Sequence, residues 1–347
     1  MHPLRRFLAG SAFVLAPFSA MATPANMAKQ LADEFIVPRF QAVASAAREQ
    51  GAAWTEFCAN PKRGNVESLK QAYEKLADAW SDVEFMHIGP AATALRVERF
   101  NWWLDRTNAR EKAFTAMMAA KPEDLVPEKL AAGSVAGQGL PMIERLLYPL
   151  SEAAVLKKKG SAQRCVVGIA VARGLSAIAD QIVSDWTASD GARAALAANT
   201  PWKASFADAN EAASVMMTDL VAGLETLKDL KVAMEFHDVM NAGAPRLAEA
   251  PRCGRTLKDI SRNLIAIRQG LAFFLLQATP AQKAQLDGAF DDAARVLKDI
   301  ETAKDEAGRV AAVKQSLAVF ATLSQTAMAI LPVATGLTLG FNNLDGD

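Results

Sequence analysis

Residues 69–83 read Leu69-Lys70-Gln71-Ala72-Tyr73-Glu74-Lys75-Leu76-Ala77-Asp78-Ala79-Trp80-Ser81-Asp82-Val83. Leu69, Tyr73, Leu76, Trp80 and Val83 recur at alternating steps of four and three, which gathers them on one stripe of an α-helix with charged side chains opposite. The period returns at Val171, Leu175, Ile178 and Ile182, and again at Leu257, Ile260, Leu264, Ile267, Leu271 and Phe274. No stretch shows the two-residue alternation and β-branched enrichment of a strand that would compete with these stripes. The expected class is all-α.

Breaker residues divide the helices. Asn60-Pro61-Lys62-Arg63-Gly64-Asn65 separates the first two long ones, Gly89-Pro90 ends the second, and Lys121-Pro122 and Val126-Pro127 interrupt the middle of the first half. The widest loop-like stretch runs from Ser189 to Pro201, between a helix ending at Trp186 and one placed at about 209 to 236. A boundary there gives an N-terminal bundle over 23–190 and a C-terminal bundle over 200–347, in which Asn241 to Pro245 and Thr279-Pro280 separate three further long helices. The symmetry suggests duplication, without a residue-by-residue repeat to establish it.

Residues 1–22 have the pattern of a secretory signal peptide: basic Arg5 and Arg6, an apolar Phe7 to Phe18, and the small-residue ending Ala20-Met21-Ala22. That apolar run is shorter than the roughly 20 residues a spanning helix needs. Cleavage before Thr23 would leave 325 residues, enough for two cores at roughly 150 residues each. The 347-residue chain carries 38 basic and 38 acidic residues, so losing Arg5 and Arg6 brings the net charge to −2. No basic run of the kind that neutralises phosphates is present, which argues against nucleic acid or anionic membrane as partner. Three cysteines in an exported chain allow one disulfide and a spare thiol. Cys58, where a helix ends, and Cys165, near the start of a later one, are the preferred pair; Cys253 would be free, and the other pairings stay open.

Familiar catalytic patterns are missing. A thermolysin-type zinc site needs two imidazoles one helical turn apart with a glutamate between them. Of three histidines, His2 leaves with the signal peptide, and His87 and His237 stand 150 positions apart. Gly-x-Ser-x-Gly is absent, and Gly133-Ser134 and Gly168 lack the spacing of a phosphate-binding loop.

Gly139-Leu140-Pro141-Met142-Ile143-Glu144 resembles the Gly-x-His-x-x-Glu signature of the imelysin-like proteins, a bacterial family tied to iron uptake and filed by name among metallopeptidases. Proline stands where that signature has histidine. Ala79-Trp80 with Ile88-Gly89-Pro90, Glu98-Arg99-Phe100 with Trp102-Trp103-Leu104-Asp105, and Ser134-Val135-Ala136 ahead of the signature resemble further family blocks. So do Gly254 to Ile260 and the tail Gly340 to Asp347, which extends the resemblance from about Gln30 to the last residue.

The resemblance implies a two-domain helical periplasmic or cell-surface protein of iron acquisition, with a metal or small-ligand site around the signature. Glu144 is the position that carries over. Pro141 offers no lone pair, so the remaining oxygen ligands suit hard ions such as ferric iron or calcium. His87 and Asp345 complete the candidate metal ligands, with Asp347 alternating with Asp345 across a glycine. Gln138, Arg145, Trp102, Trp103, Arg255 and Asn342 complete the candidate binding residues.

Each has a plainer reading. Pro141 suits the first turn of a helix, and Glu144 the positive end of its dipole. Gln138 and Arg145 suit solvated positions, and His87 a helix cap. Trp102 and Trp103 point about 100 degrees apart on a helix, so one of them is expected at a seam or groove. Arg173, amid apolar positions, is expected in an ion pair.

The first expectation is a periplasmic imelysin-like protein that captures an iron species, a chelate or a periplasmic or outer-membrane partner near Glu144 without bond cleavage. One rival is a divergent metallopeptidase built from Glu144, His87 or His237 and the tail aspartates. The other is a non-catalytic helical interaction module for an outer-membrane protein.

Overall fold

The computed structural model describes residues 23–61, 64–148, 161–240 and 247–340. The signal-peptide reading of residues 1–22, the breaker at 241–245 and the tail residues Asn342, Asp345 and Asp347 lie outside the described residues.

The first helical rod runs from Pro24 to Ala59 as α1 (Pro24–Leu31), a π turn (Ala32–Ile36) and α2 (Val37–Ala59). Pro38 explains the wide turn. It has no N–H to donate to the carbonyl four residues back, and its ring crowds that carbonyl, so the ladder widens just before it and the Val37 N–H reaches back to Ala32. α3 (Val66–Ser81) follows, opened by Asn65, whose side chain accepts the Glu67 N–H at 2.9 Å. It buries Leu69, Tyr73, Leu76 and Trp80, each contributing roughly 1.5–3 kcal/mol.

Short helices fill the middle of the first half: α4 (Arg96–Asn101), α5 (Ala109–Ala119), α6 (Pro127–Ala132) and α7 (Gly139–Leu147). The long α8 (Ser161–Thr187) packs along α2, and Gly168 is the closest approach, since a Cβ there would lie 2.5 Å from the Trp54 ring. Cys58 on α2 and Cys165 on α8 are joined by a disulfide, with Cα atoms 5.6 Å apart, and Cys253 is free.

The second half holds α9 (Ala192–Ala198), α10 (Ala209–Thr226), a second π turn (Leu227–Val232), α11 (Ala233–Glu235) and α12 (His237–Met240). After these come α13 (Thr256–Leu271), α14 (Pro280–Thr302) and α15 (Glu306–Thr335). Asp208, Thr279 and Asp305 cap α10, α14 and α15 with side-chain oxygens, and Thr279 with Gln282 forms a full capping box. Among the described residues there is no strand; Trp202 and Phe206 form an isolated bridge.

Several boundaries depart from the sequence expectation. The stretch 189–201, expected as a loop, contains α9, whose Ala192 and Leu196 are buried beside α8. The helix expected to reach 236 leaves α geometry after Thr226, and α3 stops at Ser81, ahead of Gly89-Pro90. Arg173 is exposed on α8 with no ion pair among the described residues, because its position faces away from α2. The two halves share one contiguous apolar core running from Met27 to Leu337: α1 packs on α10, and α13 packs on α3.

Candidate functional site

The signature region builds a corner. Gly139 opens α7 with φ +77°, and a Cβ on it would lie 2.3 Å from the Phe100 carbonyl oxygen, so only glycine lets α7 begin against the end of α4. Pro141 falls in the first turn of α7, where no intrahelical partner is needed. Glu144 is 2% exposed, and its Oε1 accepts the N–H groups of Arg252 at 2.8 Å and Cys253 at 3.0 Å. Burial pushes its carboxyl above the usual range, and those two N–H groups pull the other way. Burial, with Glu144 beside it, likewise pushes the Cys253 thiol up.

The neighbours are equally engaged. Arg145 forks onto Glu111 at 2.7 and 3.0 Å and lies 3.9 Å over the Phe114 ring. Gln138 accepts from Arg99 at 3.1 Å and donates to the Ser134 carbonyl at 3.3 Å. Arg255, buried, pairs with Glu74, Asp78 and Asp259 at 2.6–2.7 Å, and Asp259 in turn accepts from the Ser81 hydroxyl at 2.9 Å.

Beyond this corner lies a cavity of about 740 Å³. Trp80, Phe85, Trp102 and Trp103 supply aromatic wall from the first half, with His87 and Glu98 among them. From the second half α10 contributes Glu211, Thr218 and Asp219, α13 contributes Asn263 and Ile267, and Thr338 and Gly340 close one side. The second π turn delivers Leu230 and Lys231 to the wall; such turns recur where a side chain must be re-aimed from a helix. Trp80 is held by stacking on Phe100, ring centres 4.1 Å apart.

The inner wall is ionic. Lys231, 3% exposed, pairs with Glu84 and, at 2.7 Å, with Glu249. Asn101 donates to Glu249 at 2.7 Å and to Glu84 at 3.2 Å, and Asn263 donates to Glu84 at 2.9 Å and to the Ser81 carbonyl. Burial works against the Lys231 charge, but Glu249 and Glu84 more than offset it and hold the ammonium above its ordinary range. Glu249 is pushed up to about 7, chiefly by desolvation. On the facing wall Asp219 Oδ2 accepts the N–H groups of His87 and Ile88, each at 2.8 Å, and desolvation pushes its carboxyl up to about 6.

Of the residues singled out from sequence, Trp102, Trp103 and His87 therefore meet at one cavity. Glu144, Gln138, Arg145 and Arg255 stand behind it as frame. α7 backs the wall directly: Leu140 and Pro141 share a small gap with Trp80 and Asn101, which both also face the cavity. Among the described residues no three His, Cys, Asp or Glu side chains cluster as metal ligands. Glu84, Asn101, Asp219, Lys231 and Asn263 went unnoticed in the sequence. Asp219 within Met216-Met217-Thr218-Asp219-Leu220-Val221, an acid in an apolar helical run, was the available signal.

The family model for imelysin, named as an M75 peptidase, matches residues 36–327. Among solved structures, an imelysin-like protein from Psychrobacter arcticum 273-4 superposes with a TM-score of 0.73 at 17% identity, covering 91% of this chain and 98% of that one. A protein named as an iron-regulated protein A precursor, from Parabacteroides distasonis ATCC 8503, gives 0.66 at 13% identity, covering 87% and 94%. No curated protein matches.

Proposed function

Because the chain belongs to the imelysin family, we propose that it is an exported capture protein of iron acquisition that holds a small ligand, such as an iron chelate, without cleaving it. The observation that carries this reading is the cavity of about 740 Å³ with Trp80, Trp102 and Trp103 in its wall. Its size lies within the roughly 300–1,000 Å³ typical of small-molecule sites, and a mostly apolar wall with a few placed polar groups is the usual makeup of such sites. The capture site is this cavity rather than Glu144, whose Oε1 is spent on two backbone N–H groups. The Cys58–Cys165 disulfide suits an oxidising compartment. The word "precursor" in one structural neighbour's name, and "iron-regulated" beside it, support export and an iron connection.

The test is calorimetric titration of the chain from Thr23 onward with ferric chelates of differing charge and with ferric, ferrous, zinc and calcium ions alone. A chelate should bind, and Trp103→Ala should weaken it about tenfold. Bare ions should bind Glu144→Ala as they bind the unaltered chain. The rival peptidase reading has His87 and Asp219 lining the same cavity in its favour. Chelator-sensitive peptide cleavage that disappears in His87→Ala would replace the capture reading with it.

A further inference from the structure

Charge in the cavity is lopsided. Four carboxylates, Glu84, Glu98, Glu211 and Asp219, face it, against Lys231 and His87. The Lys231 ammonium is already spent on Glu84 and Glu249. What remains unspent points to the same kind of ligand. Asp219 uses Oδ2 for two backbone N–H groups, and its Oδ1 has no hydrogen bond among the described residues. Asn263 is 2% exposed, and both bonds from its Nδ2 go to acceptors, the Ser81 carbonyl and Glu84, which fixes its amide orientation. Its Oδ1 is thereby left as a buried acceptor with no partner. That atom is closed off from the cavity, so the acceptor left for a ligand is the Asp219 Oδ1.

Resting on the reading of this cavity as the capture site, we propose that its ligand is a small organic cation. An amine or similar nitrogen cation is held by Asp219, with its apolar body against Trp102 and Trp103 and with Glu98 and Glu211 at the exposed rim. The ring faces reinforce the choice of sign, because indole attracts cations through its quadrupole, most strongly where water is thinned out. An anion would meet three carboxylates, Glu98, Glu211 and Asp219, while the one lysine of the wall is already paired with Glu84.

The experiment uses three probes that share one indole body: tryptamine, tryptophol and 3-indolepropionate, which are cationic, neutral and anionic at pH 7.5. Each is titrated calorimetrically into the chain from Thr23 onward. Tryptamine should bind about tenfold tighter than tryptophol, and the anion more weakly still. Asp219→Asn keeps an oxygen for the His87 and Ile88 N–H groups, and should shrink the tryptamine advantage to about threefold. Glu98→Gln, a change at the exposed rim, should reduce it less and keeps the test open should Asp219→Asn fail to fold. Tryptophol or 3-indolepropionate binding as tightly as tryptamine overturns the cation inference and leaves the capture reading standing. So does a neutral or anionic ferric chelate held while tryptamine is not. Failure of every probe and every chelate overturns both.

Discussion

The Oε1 of Glu144 accepts the backbone N–H of Arg252 at 2.8 Å across 108 residues of sequence, and ties α7 of the first half to the turn that precedes α13 in the second. The acid of the signature is thus a clasp. Glu144→Ala leaves two inward-facing N–H groups without an acceptor, and is expected to cost about 2–4 kcal/mol in chemical denaturation. Glu144→Gln keeps one acceptor oxygen and should cost less than half as much.

Gly139 is the second fixed point of the signature. With the Phe100 carbonyl 2.3 Å from where a Cβ would sit, and φ at +77°, Gly139→Ala must push α4 and α7 apart. Thermal melts should show a loss of about 3 kcal/mol or more, or no folded protein at all. Pro141→His, by contrast, leaves the α7 backbone undisturbed, because the first turn of a helix does not require proline, and should cost only about 1–3 kcal/mol, for seating an imidazole at a buried position.

Lys231 neutralises a pair of acids on the inner wall of the cavity. Lys231→Met leaves Glu84 and Glu249 facing each other without their cation, and should cost about 3–5 kcal/mol. Adding Glu84→Gln to that variant should recover part of the loss, a coupling that a double-mutant cycle reads directly.

Asp105 anchors the segment that carries Trp102 and Trp103. Its carboxylate accepts the Thr107, Ala109 and Arg110 N–H groups at 2.8–3.0 Å and the Thr107 hydroxyl at 3.1 Å. Desolvation opposes the charge, yet these bonds outweigh it and hold the carboxyl below its usual range. The folded pKa being the lower one, this stabilisation is complete above the unfolded value near 3.9 and is lost as pH falls through the folded value. Asp105→Ala should therefore cost about 1–2 kcal/mol at pH 7, and progressively less below pH 4.

The Cys58–Cys165 bond closes a loop of 107 residues. Reduction should lower stability by about 5 kcal/mol on loop-entropy grounds. Alkylation of the unfolded, unreduced protein should label one thiol, at Cys253; three labels would refute the bridge.

Much of the fold was legible because its periodicity is local. The stripe from Leu69 to Trp80 is buried as spaced, and so is the one from Val171 to Ile182. The stripe from Ile260 to Leu271 on α13 is buried too, as is Phe274 in the turn after it, but Leu257 is only half-buried while Asp259 and Asn263 go under. The inner wall was not legible. An acid such as Glu84 after Val83 reads as a solvated helix face until its partner is known, and that partner, Lys231, lies 147 residues away. Trp102 and Trp103 were singled out as neighbours on a helix with one of them at a groove, but α4 ends at Asn101 and both lie in the non-helical segment after it, where both border the cavity. The π turn at Leu227–Val232 has no breaker residue to announce it, so the delivery of Lys231 was invisible.

The rod from Pro24 to Ala59 begins among helices of the second half, where α1 lies on α10, and ends among those of the first, where α2 lies on α8 and α3. The earliest turns to leave a ribosome or a translocation pore must therefore wait for some 180 further residues before their permanent neighbour exists. Each half is therefore expected to mature only in the presence of the other. Two fragments severed near residue 199 would each display a raw apolar face, stay sticky when made separately, and regain solubility only when produced together.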